Sequence, residues 1–338
     1  MKILTEYRIA DCQSPLWQER TDNIFDQSSR LRKLSNLPGL PLRVEKFLIE
    51  LDNHPWLSAW RLLKKRRAYD LVITGDFRVS RVFALLQSLF PIGRKPQLMI
   101  DFMLDDEQPG RLWKIKRSVQ RRIFESIDRI ILFSENERKV YAQALRIGIE
   151  RFTALPYHTN VVSVRYLGKH EDYIVSAGNS GRDYATLIKA VKGTGLKLKI
   201  ITSPACLNGI EIPPDVELYY NIDYMRYLDL LAGAKLVVVP LHNLIRSVGM
   251  VVMLEGMSLG KTVIVTRAIS VIEYIEQGKN GFLVDPYDEK GLRELLLKLD
   301  DKTREKVGKQ AVEDVKSRWT FDIFVKALLE VAAGMKRK

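Results

Sequence analysis

One carboxylate stands in an otherwise apolar segment of the second half of the chain. Glu255 follows the run Met-Val-Val-Met-Leu, which begins after Gly249, and it precedes a strand-like stretch at residues 262–266. Burying an unpaired carboxylate is costly, so Glu255 needs hydrogen-bond donors. The two adjacent hydroxyl groups of a ribose would supply them, and an ion pair with Lys261 or Arg267 would serve equally well.

Gly249 is predicted to begin the helix that contains this carboxylate. A glycine at a helix start lets a ligand approach the N–H groups of the first turn, where the helix dipole favours negative charge. The N–H groups of Gly249, Met250 and Val251 would then hold a diphosphate. The alternative is that Gly249 only permits a tight turn between a strand and the helix.

A glycine-rich loop lies between a predicted strand and a predicted helix at residues 176–184. Gly178 and Asn179 follow the strand, and the guanidinium of Arg182 is placed to reach phosphate groups. The alternative is a structural loop in which Asp183 caps the helix. A capped helix start and a phosphate-binding loop are compatible with each other. The loop is therefore kept as a second candidate phosphate site.

Short apolar strands alternate with helices in both halves of the chain. This pattern predicts an α/β protein whose parallel sheets are covered on both faces, and such sheets bind ligands at the carboxyl ends of their strands. The predicted strands lie at 1–8, 69–75, 96–101, 129–134, 172–178, 196–201, 216–220, 236–240, 262–266 and 281–284. The predicted helices lie at 79–89, 110–125, 184–192, 224–231, 249–255, 269–277, 288–300 and 302–318.

The bulk composition favours a two-domain protein of the cytoplasm. With 338 residues, the chain exceeds what one hydrophobic core usually serves. It has no apolar run long enough to span a membrane and no apolar secretory signal at its start. Its two cysteines are too far apart for a zinc motif and give no sign of a disulfide framework.

Positive charge is concentrated in the first half. Residues 1–165 carry 29 Lys and Arg against 19 Asp and Glu, and residues 166–338 carry 25 against 22, within a net charge of +13. Two stretches, 56–67 and 111–124, mix Trp and Leu with Lys and Arg. Basic amphipathic helices of this kind suit an anionic membrane surface. The alternative is a solvated helix face whose apolar side lies in the core.

Four segments of the second half resemble, in the same order along the chain, the motifs of family 4 retaining glycosyltransferases. They lie at residues 178–187, 234–240, 249–266 and 278–284, and the resemblance extends over residues 170–320. It implies the GT-B fold, an α/β architecture of two Rossmann-like doubly wound domains facing a cleft.

The resemblance implies a division of the chain into three parts. Residues 1–165 would form an N-terminal acceptor-binding domain, and residues 166–320 a C-terminal nucleotide-sugar-binding domain. Residues 321–338 would form a C-terminal helix that crosses back to the N-terminal domain.

The resemblance also implies roles for the residues that bind the donor. Glu255 matches the glutamate that holds the donor ribose in the family. Gly249, Met250 and Val251 match the turn whose amides meet the diphosphate. Arg182 takes the place of a basic residue that follows the first strand of the domain.

Further donor positions agree with the family only in part. Asn221 and Ile222 lie where the nucleotide base is bound. Ser247 stands where the family has a glutamate that contacts the donor sugar, so Ser247 is a catalytic candidate and the identity of the sugar is open. Arg246 beside it would suit an acidic sugar, or it is a salt-bridged loop arginine. Asn179 replaces a family arginine, so one phosphate contact is missing or is supplied from elsewhere.

Asp101 is the catalytic candidate of the first half. It ends a predicted strand and would accept the proton of an acceptor hydroxyl as a general base. The alternative, which the position favours, is a carboxylate that caps the next element. No spacing of histidines and cysteines indicates a metal site, and the resemblance implies neither a metal nor a cofactor.

These features together predict a retaining hexosyltransferase. It would move a sugar from a nucleotide-diphosphate sugar, with UDP favoured over GDP, to a glycan or lipid-linked acceptor in bacterial-type surface polysaccharide or glycolipid synthesis. We expect a cytoplasmic protein, peripheral on the inner face of the membrane if the basic helices bind it, and no nucleic acid partner. Two alternatives stay open: a nucleotide-sugar epimerase of the same fold, and a non-catalytic polyanion-binding protein suggested by the charge alone.

Overall fold

The computed structural model describes residues 1–6, 14–24, 43, 53–102, 104, 110–161 and 171–335. The chain divides into two compact units, one formed by Met1–Leu155 with Val325–Lys338 and the other by Pro156–Phe324. Each unit contains a six-stranded parallel sheet. The acceptor-binding and donor-binding roles of the two halves, with the domain limits drawn for them, stay predictions.

The sheet of the first unit has the strand order β2-β1-β3-β4-β5-β6. Its strands are β1 (Ile3–Thr5), β2 (Thr21–Asn23), β3 (Leu71–Thr74), β4 (Gln97–Met99), β5 (Arg129–Leu132) and β6 (Phe152–Ala154). The described helices of this part of the chain are α1 (Pro15–Arg20), α2 (Pro55–Lys65), α3 (Phe77–Leu89), α4 (Arg111–Glu125) and α5 (Glu135–Leu145).

The sheet of the second unit has the order β12-β11-β10-β7-β8-β9. Its strands are β7 (Tyr173–Ala177), β8 (Lys197–Ile201), β9 (Val216–Tyr219), β10 (Leu236–Val239), β11 (Thr262–Thr266) and β12 (Phe282–Val284). The helices that follow β6 are α6 (Tyr184–Val191), α7 (Tyr224–Gly233), α8 (Met250–Ser258), α9 (Glu289–Lys298), α10 (Asp301–Arg318) and α11 (Phe321–Met335).

The central strands of the second sheet are buried on both faces. All residues of β10 and β11 are buried, which is why both read as continuous apolar runs rather than as alternating patterns. Helix α8 is also buried almost all round, since only Val251 of its nine residues is exposed. It packs between the sheet and α10, and a Cβ at Gly256 would lie 3.1 Å from a methyl carbon of Val263. This burial explains why the residues that precede Glu255 in the sequence are apolar.

The predicted strand at 262–266 is confirmed, residue for residue, by β11. The predicted helix at 269–277 is wrong, because only a 3-10 turn forms there, at Val271–Glu273. The side chain of Asn280 instead holds this segment in a turn: its Oδ1 accepts the amide of Glu276 at 2.8 Å, and its Nδ2 donates to the carbonyl of Tyr274 at 3.0 Å. None of the helices in the described ranges is long and apolar enough to cross a membrane.

Candidate functional site

The two candidate loops of the second unit lie where its strand order changes direction. Strands β8 and β9 lie on one side of β7 in the sheet, and β10, β11 and β12, which follow in the sequence, lie on its other side. Doubly wound sheets bind ligands in the crevice at such a point. The loops after β7 and β10 meet there, because Arg182 bridges to Leu241 and the amide of His242 donates to the carbonyl of Gly181 at 2.9 Å.

Gly249 provides the turn that starts α8. Its φ is +86°, in the left-handed region that favours glycine, and a Cβ there would lie 3.0 Å from a methyl carbon of Val239. No side chain caps this helix start. The first-turn amides have no acceptor within the helix, so they are available to an anion. The turn interpretation of Gly249 is therefore confirmed, whereas the diphosphate contact of the first-turn amides stays a prediction.

Two polar atoms immediately before this helix are buried without a hydrogen-bond partner in the described structure. They are Nε of Arg246 and Oγ of Ser247. Buried polar atoms are normally paired, so an unpaired one at the edge of a ligand crevice calls for an explanation. A ligand with acceptor oxygens would satisfy both. Among the described residues Arg246 makes no salt bridge, and its role as a sugar contact or as a salt-bridged loop arginine stays a prediction.

Glu255 is buried, with 5% of its surface exposed, and two tyrosines of α7 hold it. Its Oε1 accepts from the hydroxyl of Tyr224 at 2.7 Å, and its Oε2 accepts from the hydroxyl of Tyr227 at 2.5 Å. The alternative ion pair with Lys261 or Arg267 is wrong, because the partners of Glu255 are the two tyrosine hydroxyls, and the Nε of Arg267 pairs with Asp285 at 2.9 Å. An ionised carboxylate has about four lone-pair positions, so two more hydroxyl donors can be accepted.

Burial raises the pKa of Glu255, and the hydrogen bonds from Tyr227 and Tyr224 oppose that rise. Burial and the neighbouring carboxylate also raise the pKa of Tyr227, so that its hydroxyl stays a proton donor. The two rings stack, with centroids 5.8 Å apart and planes inclined by 23°. Tyr224 is exposed whereas Tyr227 is largely buried, so Tyr227 is the fixed partner of the carboxylate.

The glycine-rich loop after β7 is held mainly by its own residues. Arg182 is buried, and it donates from Nε to the carbonyl of Ala177 at 2.8 Å and from Nη1 to that of Ser180 at 2.7 Å. Burial lowers the pKa of its guanidinium. Its predicted phosphate contact stays a prediction, and the contacts present are structural. The predicted helix cap is confirmed, since the Asp183 carboxylate accepts the amide of Thr186 at 3.1 Å.

Gly178 and Asn179 lie in this loop with defined contacts. Gly178 has a φ of +116°, and its carbonyl accepts from the Tyr184 hydroxyl at 2.6 Å. The Oδ1 of Asn179 accepts from the amide of Ser203 at 2.7 Å and from the hydroxyl of Thr202 at 3.1 Å. Asn179 therefore ties the loop to the carboxyl end of β8, a task different from that of a phosphate-binding arginine.

The predicted base-binding residues lie at the carboxyl end of the neighbouring strand β9. Asn221 is exposed and has a φ of +50°, and Ile222 is half-buried against the core. Asp223 then caps α7 by accepting the amide of Arg226 at 2.9 Å. The two residues thus come directly before the turn of α7 that carries Tyr224.

Asp101, the catalytic candidate of the first unit, follows β4 with a φ of +57°. It is half-buried. The next helix of the described structure, α4, begins at Arg111 after its N-cap Gly110, so Asp101 does not cap that helix. Residues 103 and 105–109 lie outside the described ranges, so both the capping and the general-base interpretations of Asp101 stay predictions.

A second carboxyl of the first unit, Glu6, is more deeply buried. It follows β1, and its Oε1 accepts the amides of Gly75 and Asp76 at 2.8 and 3.0 Å. Burial raises the pKa of Glu6 from 4.5 to about 7, against the opposing effect of the two amides. The charges of Asp76 and Asp101 add to the rise. Across the described residues, no group of three or more His, Cys, Asp and Glu side chains is placed to hold a metal ion.

Comparison with known proteins supports this description of the fold. Residues 208–314, about a third of the chain, match the family model described as glycosyl transferases group 1. This segment includes Asn221, Ile222, Gly249 and Glu255. A search of curated protein sequences found no match to the chain.

The structure is similar over nearly its whole length to HepE from Anabaena. The form solved with UDP-glucose has a TM-score of 0.68 at 14% identity and covers 99% of this chain and 100% of HepE. A mutant of TarM from S. aureus has a TM-score of 0.63 at 16% identity, covering 83% of this chain and 58% of TarM. A glycosyltransferase from Rickettsia africae has a TM-score of 0.59 at 13% identity, with 88% and 82% covered.

These similarities establish the class of fold. The chain has the GT-B fold predicted from its sequence, with two doubly wound α/β units. Its residues 208–314 carry the sequence pattern of group 1 glycosyltransferases.

Sequence reasoning missed the tyrosine pair and Glu6. Tyr224 and Tyr227 are three residues apart on a predicted helix, which places them on one face, but nothing in the spacing links that face to Glu255. Glu6 had no such signal, because the predicted first strand, 1–8, includes it, and only the structure ends β1 at Thr5. Its amide partners lie about seventy residues further along the chain.

Proposed function

We propose that this protein is a retaining glycosyltransferase that moves a hexose from a UDP-sugar to a glycan or lipid-linked acceptor. The observation that carries the proposal is the pair of unpartnered buried atoms, Arg246 Nε and Ser247 Oγ, beside the glycine-led start of α8. A diphosphate sugar offers acceptor oxygens to both atoms, and the helix start favours its negative charge.

The choice of UDP rests on the related structures. HepE has been solved with UDP, with UDP-glucose, and with UDP and glucose. TarM has been solved with UDP and alpha-GlcNAc-glycerol. In this chain the base would lie against Asn221 and Ile222, which precede the exposed ring of Tyr224.

The donor contacts follow from the geometry of α7 and α8. The amides of Gly249, Met250 and Val251 would hold the diphosphate, as the free donors of a helix start do. Glu255 would accept the two ribose hydroxyls with the lone pairs that the tyrosines leave. Tyr227 would fix the carboxylate in the required orientation.

Catalysis would come from charge stabilisation rather than from a covalent nucleophile. As the bond to the sugar breaks, negative charge develops on the departing diphosphate. Fixed donors aimed at that charge lower the barrier, because they need no reorganisation during the reaction. Ser247 and Arg246 would face the sugar side of the diphosphate, and Asp101 would orient or deprotonate the acceptor hydroxyl.

The experiment that tests this proposal is a transfer assay with product analysis. Purified protein is incubated with UDP-glucose, other UDP-sugars and GDP-sugars, together with glycan and lipid-linked acceptors. Release of nucleotide is measured, and the anomeric configuration of the product is read by NMR. We expect acceptor-dependent release of UDP and a product with the configuration of the donor.

Two variants locate the reaction in the proposed site. Ser247→Ala is expected to lower kcat/KM about five- to tenfold, the effect of one lost hydrogen bond. Ser317→Ala, an exposed serine of α10, serves as the matched control and should leave kcat/KM unchanged. A product of inverted configuration would contradict retention. A new nucleotide sugar formed without acceptor would establish the epimerase alternative instead.

A further inference from the structure

Helix α4 presents an apolar stripe to solvent. Leu112, Ile115 and Val119 are 84%, 61% and 51% exposed, and their spacing places them on one face of the helix. The helix is anchored by another face: Gln120 and Phe124 are buried, and the ring of Phe124 meets that of Phe102 edge-on at 4.8 Å. A continuous exposed stripe on a firmly packed helix marks an interaction surface rather than a scattered exposed residue.

The flanks of this stripe are cationic. The helix carries six Lys and Arg and a single acid, Glu125, which pairs with Arg121 at 2.8 Å in its last turn. With 3.6 residues per turn, Lys116 falls on one side of the stripe, and Arg111 and Arg122 fall on the other. All three of these cations are exposed. The apolar centre with cations on both sides is therefore a property of the folded helix.

We propose that this face of α4, defined by Leu112, Ile115 and Val119 with Lys116, Arg111 and Arg122, docks on an anionic lipid bilayer. Aliphatic side chains enter the boundary between headgroups and acyl chains, and the flanking cations meet the anionic headgroups. A nucleic acid would instead be bound by cations and stacked aromatic rings, and the centre of this face is aliphatic. The positive charge and the apolar stripe together thus fit an anionic bilayer better than a nucleic acid.

The direction of α4 relates this surface to the acceptor. The helix connects the carboxyl end of β4 to β5, so its first two turns, with Leu112 and Ile115, lie towards the sheet edge where doubly wound units bind ligands. Docking would bring that edge to the bilayer. The proposed acceptor of this unit is then lipid-linked, an inference that rests on the proposed transferase function.

The other basic stretch of the sequence is a weaker candidate. In α2 the ring of Trp60 packs edge-on against Phe90 with centroids 6.2 Å apart. Part of that aromatic surface is therefore used within the unit.

The test is sedimentation of the full chain with vesicles of phosphatidylcholine, with and without phosphatidylglycerol, at low and high salt. We expect binding to the anionic vesicles at low salt, weaker binding at high salt, and little binding to phosphatidylcholine alone. Leu112→Ser/Ile115→Ser is expected to lower the partition coefficient at least tenfold, and Lys116→Gln/Arg122→Gln to weaken it and flatten its salt dependence. Leu297→Ser, an exposed leucine of α9, is the matched control and should bind as the wild type does.

Absence of binding to anionic vesicles at low salt would overturn the proposal. Undiminished vesicle binding of Leu112→Ser/Ile115→Ser would overturn it as well. So would a competition assay in which RNA or an acidic peptide, added to the anionic vesicles, binds the α4 face in their place. The vesicle assay uses no nucleotide sugar, so its failure leaves the transferase proposal standing. Conversely, vesicle binding without any sugar transfer would retain the docking surface and remove only its link to the acceptor.

Discussion

The substitution Glu6→Gln tests whether a buried carboxyl limits the stability of the first unit. Glu6 is 4% exposed, and its Oε1 accepts two backbone amides. Glutamine keeps that oxygen and the side-chain shape but cannot ionise. The variant therefore removes a buried charge without opening a cavity.

The magnitude follows from the pKa of Glu6, which burial raises from 4.5 to about 7. One pKa unit corresponds to about 1.4 kcal/mol, so the rise corresponds to about 3 kcal/mol. Because the folded-state pKa is the higher one, this carboxyl favours the folded state most below pH 4.5, and that contribution is lost as pH rises through 7. The stability of Glu6→Gln relative to the wild type should therefore increase by about 3 kcal/mol from the acid to the alkaline side of this range.

Thermal unfolding of both proteins between pH 4 and pH 8.5 measures this difference. For a unit of this size, about 3 kcal/mol corresponds to roughly 6–12 °C in Tm. Glu150→Gln, an exposed carboxylate of the same unit, is the matched control and should show no comparable trend. A Tm difference between Glu6→Gln and wild type that does not change with pH would show that the pKa of Glu6 is not raised in the folded state.

The remaining predictions concern the second unit. Gly249→Ala is expected to lower the free energy of unfolding by about 1–2 kcal/mol, because alanine disfavours a positive φ and its Cβ would crowd a side chain of β10. An unchanged unfolding transition in calorimetry would contradict this. Tyr227→Phe is expected to weaken UDP binding about tenfold in calorimetric titrations. Tyr224→Phe should weaken it clearly less, because the Tyr224 ring is exposed. Equal effects of the two substitutions would argue against an orienting role for Tyr227. UDP affinity should also rise with pH as Glu255 ionises, since burial raises its pKa, and Tyr227→Phe should move that rise to higher pH. An affinity independent of pH would mean that the ionised carboxylate is not the binding form.

The second unit was predictable in detail because its strands are buried on both faces. Buried parallel strands are continuous apolar runs, which is why the prediction for 262–266 matches β11. Asp183 before α6 was predictable for a related reason, since capping depends on the sequence next to the helix. The predicted helix at 269–277 failed because the decisive contacts of Asn280 come from beyond the segment.

The chemistry of the site was predictable only in its backbone features. The glycine at 249 and a buried carboxylate at 255 follow from local sequence, but the partners of Glu255 come from another helix, about thirty residues earlier. The contacts of Arg182 were not predictable either: its position after the strand suggests a phosphate contact, which stays a prediction, whereas the loop turns its guanidinium onto the loop's own carbonyls. Pairings made by tertiary contact leave no trace in residue spacing.

The most direct test of nucleotide binding at Glu255 is calorimetric titration of UDP, GDP and ADP into the wild type, Glu255→Gln and Asp229→Asn. Asp229 is an exposed carboxylate of α7 and serves as the matched control. We expect the wild type and Asp229→Asn to bind UDP in preference to GDP and ADP, and Glu255→Gln, with an unchanged Tm, to lose most of that affinity. Binding of UDP by Glu255→Gln with wild-type affinity, or no binding of any of the three nucleotides by the wild type, would contradict this expectation.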